Sequence, residues 1–432
     1  MKAGFITLGC KVNIYESNAL KEELINNGIE VKDDATPDCD IFIINTCSVT
    51  NQADAKSRKM IRKCINMNPK AIICAMGCYV QTNENAKDID GVDILIGNGN
   101  KKAAVEKIIE FTKCERKEKY VDIIDILNTQ EYEKLGVTTY DHARAFVKIE
   151  DGCENFCAFC IIPYARGPVR SKDSDSVIEE LKSITSKGFN EVVLSGIHTG
   201  RYFDKEKNLN FSGLIRRILN EVKDLKRLRI SSIEINEIDD DFIDMMRKTD
   251  VIANHLHLPL QAGSDKTLSN MERKYDVKFF KDKIRKIKDA RPDISISTDI
   301  IVGFPYETEE DFLETYNLAK ELELSKIHVF PYSVRKGTKA ALMPQISADI
   351  KKDRASRLIK LSSELENNYA KKFIGKTFDM IVEQQSSNNR LVGHTSNFLQ
   401  VFIPYQDNLI KNIVKVKIIS VENNKILGIV EK

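Results

Sequence analysis

The sequence predicts an α/β protein of three units in series: an N-terminal small parallel-sheet α/β domain, a central partial (β/α)6 barrel and a C-terminal small OB-like β-barrel. Three observations carry this. Apolar runs of strand length alternate with helical patterns across 1–113, a longer β–α alternation fills 142–345, and only short strands follow residue 372. Between them, 114–141 reads as a charged linker and 346–371 as a bridging helix, with the β domain over 372–432.

In the first unit, Gly4–Leu8, Ile41–Asn45 and Ala71–Ala75 are apolar runs of buried-strand length, and Glu16–Asn26 and Asp54–Cys64 are helical patterns that end near Gly, Asn or Pro. The barrel strands are expected at Ala145–Glu150, Glu191–Ser195, Arg229–Glu234, His255–Leu260, Ile294–Val302 and Ile327–Pro331. Between them, Ser176–Lys187 is capped by Asp175 or Ser176, and Thr308–Leu322 opens with the acidic turn Glu309, Glu310, Asp311, which suits the helix dipole. Six such strands fall short of the full eight-unit barrel, which needs about 250 residues. Ser347 can cap a helix carrying Ile350, Leu358, Leu361, Leu365 and Tyr369 on one side. Thr377–Glu383, Arg390–Thr395, Leu399–Pro404, Ile413–Val421 and Ile426–Glu431 then read as the strands of the small barrel.

The 432 residues are 42% hydrophobic, enough for two or three cores, and the net charge of +2 leaves any nucleic-acid surface to a local patch. The opening MKAGFITLGC lacks the basic and long apolar regions of a signal peptide, and no stretch approaches the ~18 apolar residues of a membrane span. A cytoplasmic, monomeric protein without membrane contact is expected. In such a reducing compartment, the ten cysteines point to metal or redox work rather than disulfides. Cys39, Cys64, Cys74 and Cys114 fit small buried hydrophobes.

Cys153, Cys157 and Cys160 form C-x3-C-x2-C just after the first barrel strand. Iron–sulfur clusters are held by thiolates, usually four. Three leave one iron of a four-iron cluster open, and the amino and carboxylate groups of S-adenosylmethionine can fill that site. The C-terminal end of a barrel strand is where barrel enzymes place active sites. Zinc is the alternative, but it takes a fourth Cys or His at fixed spacing, and none follows closely. Phe159 is expected beside the adenine of the cofactor.

Cys10, Cys47 and Cys78 are far apart, yet each directly follows an apolar strand: ITLGC, IINTC, CAMGC. In a parallel sheet these strand ends share one edge, where ligands bind. Three thiols on that edge suit a second cluster with an open iron, and Gly9 and Gly77 allow the turns that aim them. Cys74 could stand in for Cys78, although its place inside the apolar run turns it into the sheet.

With both triplets placed, the sequence resembles the methylthiotransferase family of radical S-adenosylmethionine enzymes over its whole length. TLGCKVNIYES (7–17), NTCSVTNQADAKSR (45–58), DGCENFCAFCIIPYARGPVRS (151–171) and PYSVRKGTKAA (331–341) carry the resemblance. It is most similar to members acting on N6-threonylcarbamoyladenosine at tRNA position 37. Relatives that act on isopentenyladenosine or on a ribosomal-protein aspartate differ after the first cysteine. The resemblance implies two [4Fe–4S] clusters, an auxiliary one on Cys10, Cys47 and Cys78 and a radical one on Cys153, Cys157 and Cys160, together with S-adenosylmethionine, a C-terminal TRAM domain and methylthiolation of adenine C2. That C–H bond is neither acidic nor a good leaving group, which explains the need for a radical. A non-catalytic iron–sulfur RNA-binding protein is the alternative of another class. Ala262 in HLPLQAGS (257–264) and Tyr306 in VGFPYE (302–307) depart from the family's Ser and Gly, and the TRAM segment matches loosely.

For S-adenosylmethionine, the strand-end candidates are Ser195, Gly196, Glu234, Gln261 and Asp299; a salt bridge with Arg229 or Arg273 is the structural alternative for the carboxylates. For the anticodon loop, whose bases can unstack, the cationic candidates are Arg166 and Arg170, Lys56 and Arg58 in a basic run, and Lys376 in the tail. His198, His255, His257 and His328 read as isolated core or strand-end residues.

Overall fold

The computed structural model describes residues 1–113, 118–138, 140, 142–386, 389–422 and 425–431. The N-terminal chain forms strands β1 (Lys2–Thr7), β2 (Glu30–Lys32), β3 (Ile41–Thr46), β4 (Ile72–Gly77), β5 (Ile94–Ile96) and β6 (Tyr120–Asp122), and helices α1 (Lys11–Asn26), α2 (Asn51–Met67), α3 (Cys78–Thr82) and α4 (Ala103–Thr112). The sheet order is β2-β1-β3-β4-β5-β6, with every pairing parallel. All six β3 residues are buried, as a strand covered on both faces requires. Ile41 and Ile43 join Phe5, Leu20 and Ile108 on one face, while Phe42 and Ile44 join Ile61, Cys64 and Tyr79 on the other. The expected strands are the central ones. The short edges β2, β5 and β6 were not expected, and β6 lies in the stretch read as linker. Helix α1 starts five residues before the expected Glu16, directly behind Cys10. Helix α2 starts at Asn51, where the Thr50 hydroxyl accepts the Ala53 N–H.

The central unit has six parallel strands in chain order: β7 (Ala145–Lys148), Glu191–Ser195, Arg227–Ile230, His255–His257, Ser295–Val302 and Lys326–Pro331. The two trios are joined through a bridge between Leu228 and Ile252. One large core fills the arc and its helices. The third strand ends at Ile230, so Glu234 lies in the turn beyond it rather than at its expected end. Helix Ser174–Ser186 is capped by Asp173 rather than Asp175 or Ser176, and Thr308 and Asp311 form a reciprocal capping box.

Ser347 caps the helix Ala348–Lys371, which packs along the last barrel strand. Five strands between Thr377 and Val430 then close into a barrel. Its turn carries Phe398 to the central unit, where the ring stacks between His255 and His394 at 4.5 and 4.6 Å. Among the described residues no helix is long and apolar enough to cross a membrane.

Candidate metal centre

Strands β1, β3 and β4 are neighbours in the sheet, and each hands its chain to a cysteine at its C-terminal end. Gly9 (φ +103°) turns the chain into Cys10 at the head of α1, and Gly77 (φ +100°) turns it into Cys78 at the head of α3. A Cβ on Gly9 would stand 3.1 Å from Cys47 Sγ, and one on Gly77 2.7 Å from Asn45 Oδ1. The turns are therefore tight as well as left-handed. Cys10, Cys47 and Cys78 lie within electrostatic reach of one another. Cys74 is buried inside β4 in the sheet core, so Cys78 is the third thiol at this edge. Cys39 and Cys64 are core residues, and Cys114 lies outside the described residues.

The second triplet follows β7 in a loop opened by Gly152 (φ +96°), where a Cβ would fall 1.9 Å from the Pro168 carbonyl. The loop is pinned by Cys153 N–H to Gly167 O (2.9 Å) and Ala158 N–H to Met271 O (3.0 Å). It leads into α5 (Ile162–Arg166). Cys157 Sγ accepts from Arg273 Nη1 at 3.3 Å, and Cys153 Sγ lies 3.6 Å from His198 Nδ1. Burial pushes the Cys153 and Cys160 thiols up to about 12 and Cys47 to about 11, and raises Cys10, which lies in a cleft open to solvent. Free thiols here stay protonated, so a bound metal must displace the protons.

The two triplets face one cleft. Asn98 Nδ2 donates to Cys78 Sγ (3.4 Å) and to Ala165 O of α5 (2.7 Å), tying one set to the other. Val49 and Thr50, just past Cys47, line the same cavity as Cys160, Phe159, Gln261 and Asp299.

Behind this cleft runs a buried ionic network. Glu16 of α1 receives Arg166 Nη1 (2.6 Å), Lys148 (2.8 Å) and Lys101, and Asp151 receives Lys148 (2.7 Å), Arg166 (3.3 Å) and Arg170 (3.6 Å). Burial alone would raise Glu16, but Arg166, Lys101 and Lys148 hold its carboxyl well below the usual range. Four cations thus surround two carboxylates, and Arg166 is within electrostatic reach of Cys78 and Cys10. Arg166 Nε and Arg170 Nη1 find no hydrogen-bond partner among the described residues. An excess of buried positive charge beside three thiols fits a thiolate-held, net anionic cluster.

This network corrects one expectation. Arg166 is fully buried and Arg170 is 6% exposed, so neither is presented to RNA. Both are consumed by carboxylates that join α1 to the barrel. Lys56 is exposed on α2, Arg58 lies half-buried over the Tyr79 ring at 5.8 Å, and Lys376 is exposed 3.4 Å from Asp293.

Of the cofactor candidates, Ser195 is buried at its strand end, and Gly196 packs so closely on Glu150 that a Cβ would meet its Oε2 at 2.7 Å. Burial holds the Glu150 carboxyl well above its ordinary range, and Oε2 accepts the His198 N–H at 2.7 Å. Glu234 is paired with Arg273, which also reaches Tyr275 Oη at 3.0 Å and Cys157. Gln261 (φ +66°) and Asp299 line the cleft, and Phe159 packs edge-on to Phe304 with centroids 6.3 Å apart. The histidines are not isolated. His257 Nε2 is 3.2 Å from Asp299, its Nδ1 is 2.9 Å from Ser297 Oγ, and His328 joins them within 4.8 Å.

Asn98, Glu16, Lys148 and Asp151 escaped the sequence reading as site residues, whereas Arg273 was named there as a possible salt-bridge partner and does pair with Glu234. Lys11 also escaped the sequence reading: open to solvent beside Cys10 yet crowded by surrounding protein, it is held below its ordinary pKa by that desolvation and then by Arg144 and Arg229.

Residues 2–97 match the family described as Uncharacterized protein family UPF0004, 147–319 the Radical SAM superfamily, and 371–430 the TRAM domain. The threonylcarbamoyladenosine tRNA methylthiotransferase MtaB of Bacillus subtilis is 42% identical over 96% of this chain and 93% of its own length. The protein of that name from Aquifex aeolicus is 37% identical over 93% and 96%. A tRNA-2-methylthio-N(6)-dimethylallyladenosine synthase of Clostridium perfringens is 35% identical over 98% and 96%. Among solved structures, the radical S-adenosylmethionine methyltransferase TsrM of Kitasatospora setae shares the fold, with a TM-score of 0.57 and 14% identity over 76% of this chain and 74% of that one. Full-length relatives at this identity, together with the two cysteine triplets on one cleft, place the family beyond the fold alone: the chain belongs to the tRNA methylthiotransferases of the radical S-adenosylmethionine superfamily.

Proposed function

We propose that the chain acts in the cytoplasm on N6-threonylcarbamoyladenosine at tRNA position 37 and converts it to the 2-methylthio derivative. The observation that carries this reading is the pair of three-thiol sets on one cleft, Cys10, Cys47 and Cys78 on the sheet edge and Cys153, Cys157 and Cys160 on the barrel loop, bridged by Asn98. When bound, two [4Fe–4S] clusters and S-adenosylmethionine would supply the radical and the methyl group, and the open iron of the auxiliary cluster would hold the sulfur to be inserted. The protein's own share is placement. Asn98 and the Glu16–Arg166 network hold the two sets in register, so that groups bound to each meet one substrate atom. Arg273 donates to Cys157 Sγ and neutralises Glu234 beside it. Gln261, Asp299, Ser195 and Gly196 are the proposed contacts to S-adenosylmethionine. Lys56, Arg58 and Lys376 are the proposed cations for the RNA backbone, and their exposed or half-exposed placement supports that role.

Anaerobic reconstitution with dithionite, S-adenosylmethionine and an anticodon hairpin carrying the modified adenosine tests this. About eight irons per chain are expected, with release of deoxyadenosine and appearance of the methylthio nucleoside. About four irons would remove the auxiliary set. Turnover of the isopentenyl hairpin in place of the threonylcarbamoyl one would overturn the substrate.

A further inference from the structure

Directly behind Cys10, at the head of α1, stands a lysine with no ion pair among the described residues. Lys11 follows Cys10 directly, opens α1 and is exposed. Its electrostatic neighbours are Arg144, Arg229, Cys10 and Asp299. The two arginines are already engaged. Arg229 donates to Glu191 (2.8 Å) and the Thr395 carbonyl (3.2 Å), while Arg144 pairs with Glu383 (2.6 Å). Glu191 also serves Arg227 at 2.9 Å, so this wall of the barrel carries more guanidinium than carboxylate. Asp299, the remaining acid, is taken by His257 at 3.2 Å. Among the described residues, Lys11 therefore has no hydrogen bond or ion pair, although it sits in crowded positive surroundings. A cation kept unpaired at such a place calls for an anion that arrives from outside.

The substrate proposed above supplies one. In adenine, C2 and C6 flank the same ring nitrogen, so a C2 aimed at the thiols of the sheet edge brings the N6 substituent out along the same base edge. A threonylcarbamoyl group ends in a free carboxylate, whereas a dimethylallyl group is apolar. We propose that Lys11 forms a carboxylate subsite that receives the threonyl carboxylate of the substrate nucleoside, with Arg144 and Arg229 as the positive wall behind it. The subsite rests on the substrate reading given above and makes Lys11 the residue that distinguishes an acidic N6 substituent from a neutral one.

The test compares two hairpins with reconstituted protein, one carrying the threonylcarbamoyl group and one its carboxamide, in which only the negative charge is lost. Wild type should prefer the carboxylate in kcat/KM by a factor of roughly 10 to 100, the range for one charge-assisted hydrogen bond. Lys11→Gln should bring the ratio near one, and Lys11→Arg should keep most of it. Where turnover of a variant is too slow to read, fluorescence anisotropy of the same hairpins gives the ratio in affinity. Iron content and the cluster absorption spectrum show that each variant carries its clusters. A Lys11→Gln ratio equal to that of wild type overturns the subsite. So does a wild type that turns over both hairpins equally, although that result leaves the substrate reading standing. A wild type that methylthiolates neither hairpin but accepts another nucleoside overturns the substrate reading, and the subsite with it.

Discussion

Replacing Glu16 by Gln should destabilise the metal-free protein more than any single change to the cations around it. Glu16 is 1% exposed and receives three of them, Arg166 at 2.6 Å, Lys148 at 2.8 Å and Lys101. Glu16→Gln keeps the shape and removes the charge, leaving Asp151 alone among four buried cations. Breaking a buried pair in this way costs about 3–5 kcal/mol. Arg166→Met removes one of the cations instead and costs less. Glu16 keeps both lysines, Asp151 keeps Lys148 and Arg170, and the loss is mainly the charge-assisted bonds to Glu16 and Asn13, about 1.5–3 kcal/mol. Urea denaturation followed by helical circular dichroism reads both, with the slope checked for constancy. Because the folded state holds the Glu16 carboxyl low, its charge contributes stability above the ordinary glutamate pKa of about 4.3 and loses it as pH falls further. The Glu16→Gln penalty should therefore be full at pH 7 and shrink in acid. A Glu16→Gln protein that loses less than about 1 kcal/mol, or less than Arg166→Met, would refute the charge count behind the argument.

Cys78→Ala should remove about four irons from the reconstituted chain while Cys74→Ala leaves iron content unchanged and costs only about 1 kcal/mol of core packing, as iron analysis and denaturation would show. Asp311 would be raised by burial, but Lys266, the Thr308 N–H and Ser264 bring it down to about 2. Its contribution is present above the unfolded value and lost as pH falls from about 4 towards 2, so Asp311→Asn should flatten that limb of an acid titration. Tyr306 holds φ +67° and is 51% exposed, so Tyr306→Gly should leave the loop in place and stabilise by up to about 1 kcal/mol, read as a higher urea midpoint.

The thiol sets were legible because each depends on local facts. An apolar run followed at once by a turn and a cysteine says strand end, and parallel strand ends share an edge whatever their order in the sheet. The same logic separated Cys78 from Cys74. The edge strands β2, β5 and β6 were not legible, since three residues give no period to count. The family's glycine at position 306 also has its reason in the structure: the turn needs a left-handed residue, and this chain pays the strain with a tyrosine.

What sequence could not supply was register between units. Arg166 lies 150 residues from Glu16, and nothing local to either tells that they meet at 2.6 Å. An arginine after a cysteine motif reads as a hand held out to phosphate, because cations are rarely buried unless paired. Here the pairing exists, but it crosses the domain boundary. The same blindness hid Lys11, for the opposite reason. Lys11 has no ion pair among the described residues, and only the folded chain shows that Arg144 and Arg229 crowd it. Burial of one cation and isolation of another are thus two sides of one arrangement. The network behind the sheet edge uses its carboxylates to hold the domains together, and Lys11, with no ion pair among the described residues, is left for the carboxylate proposed above.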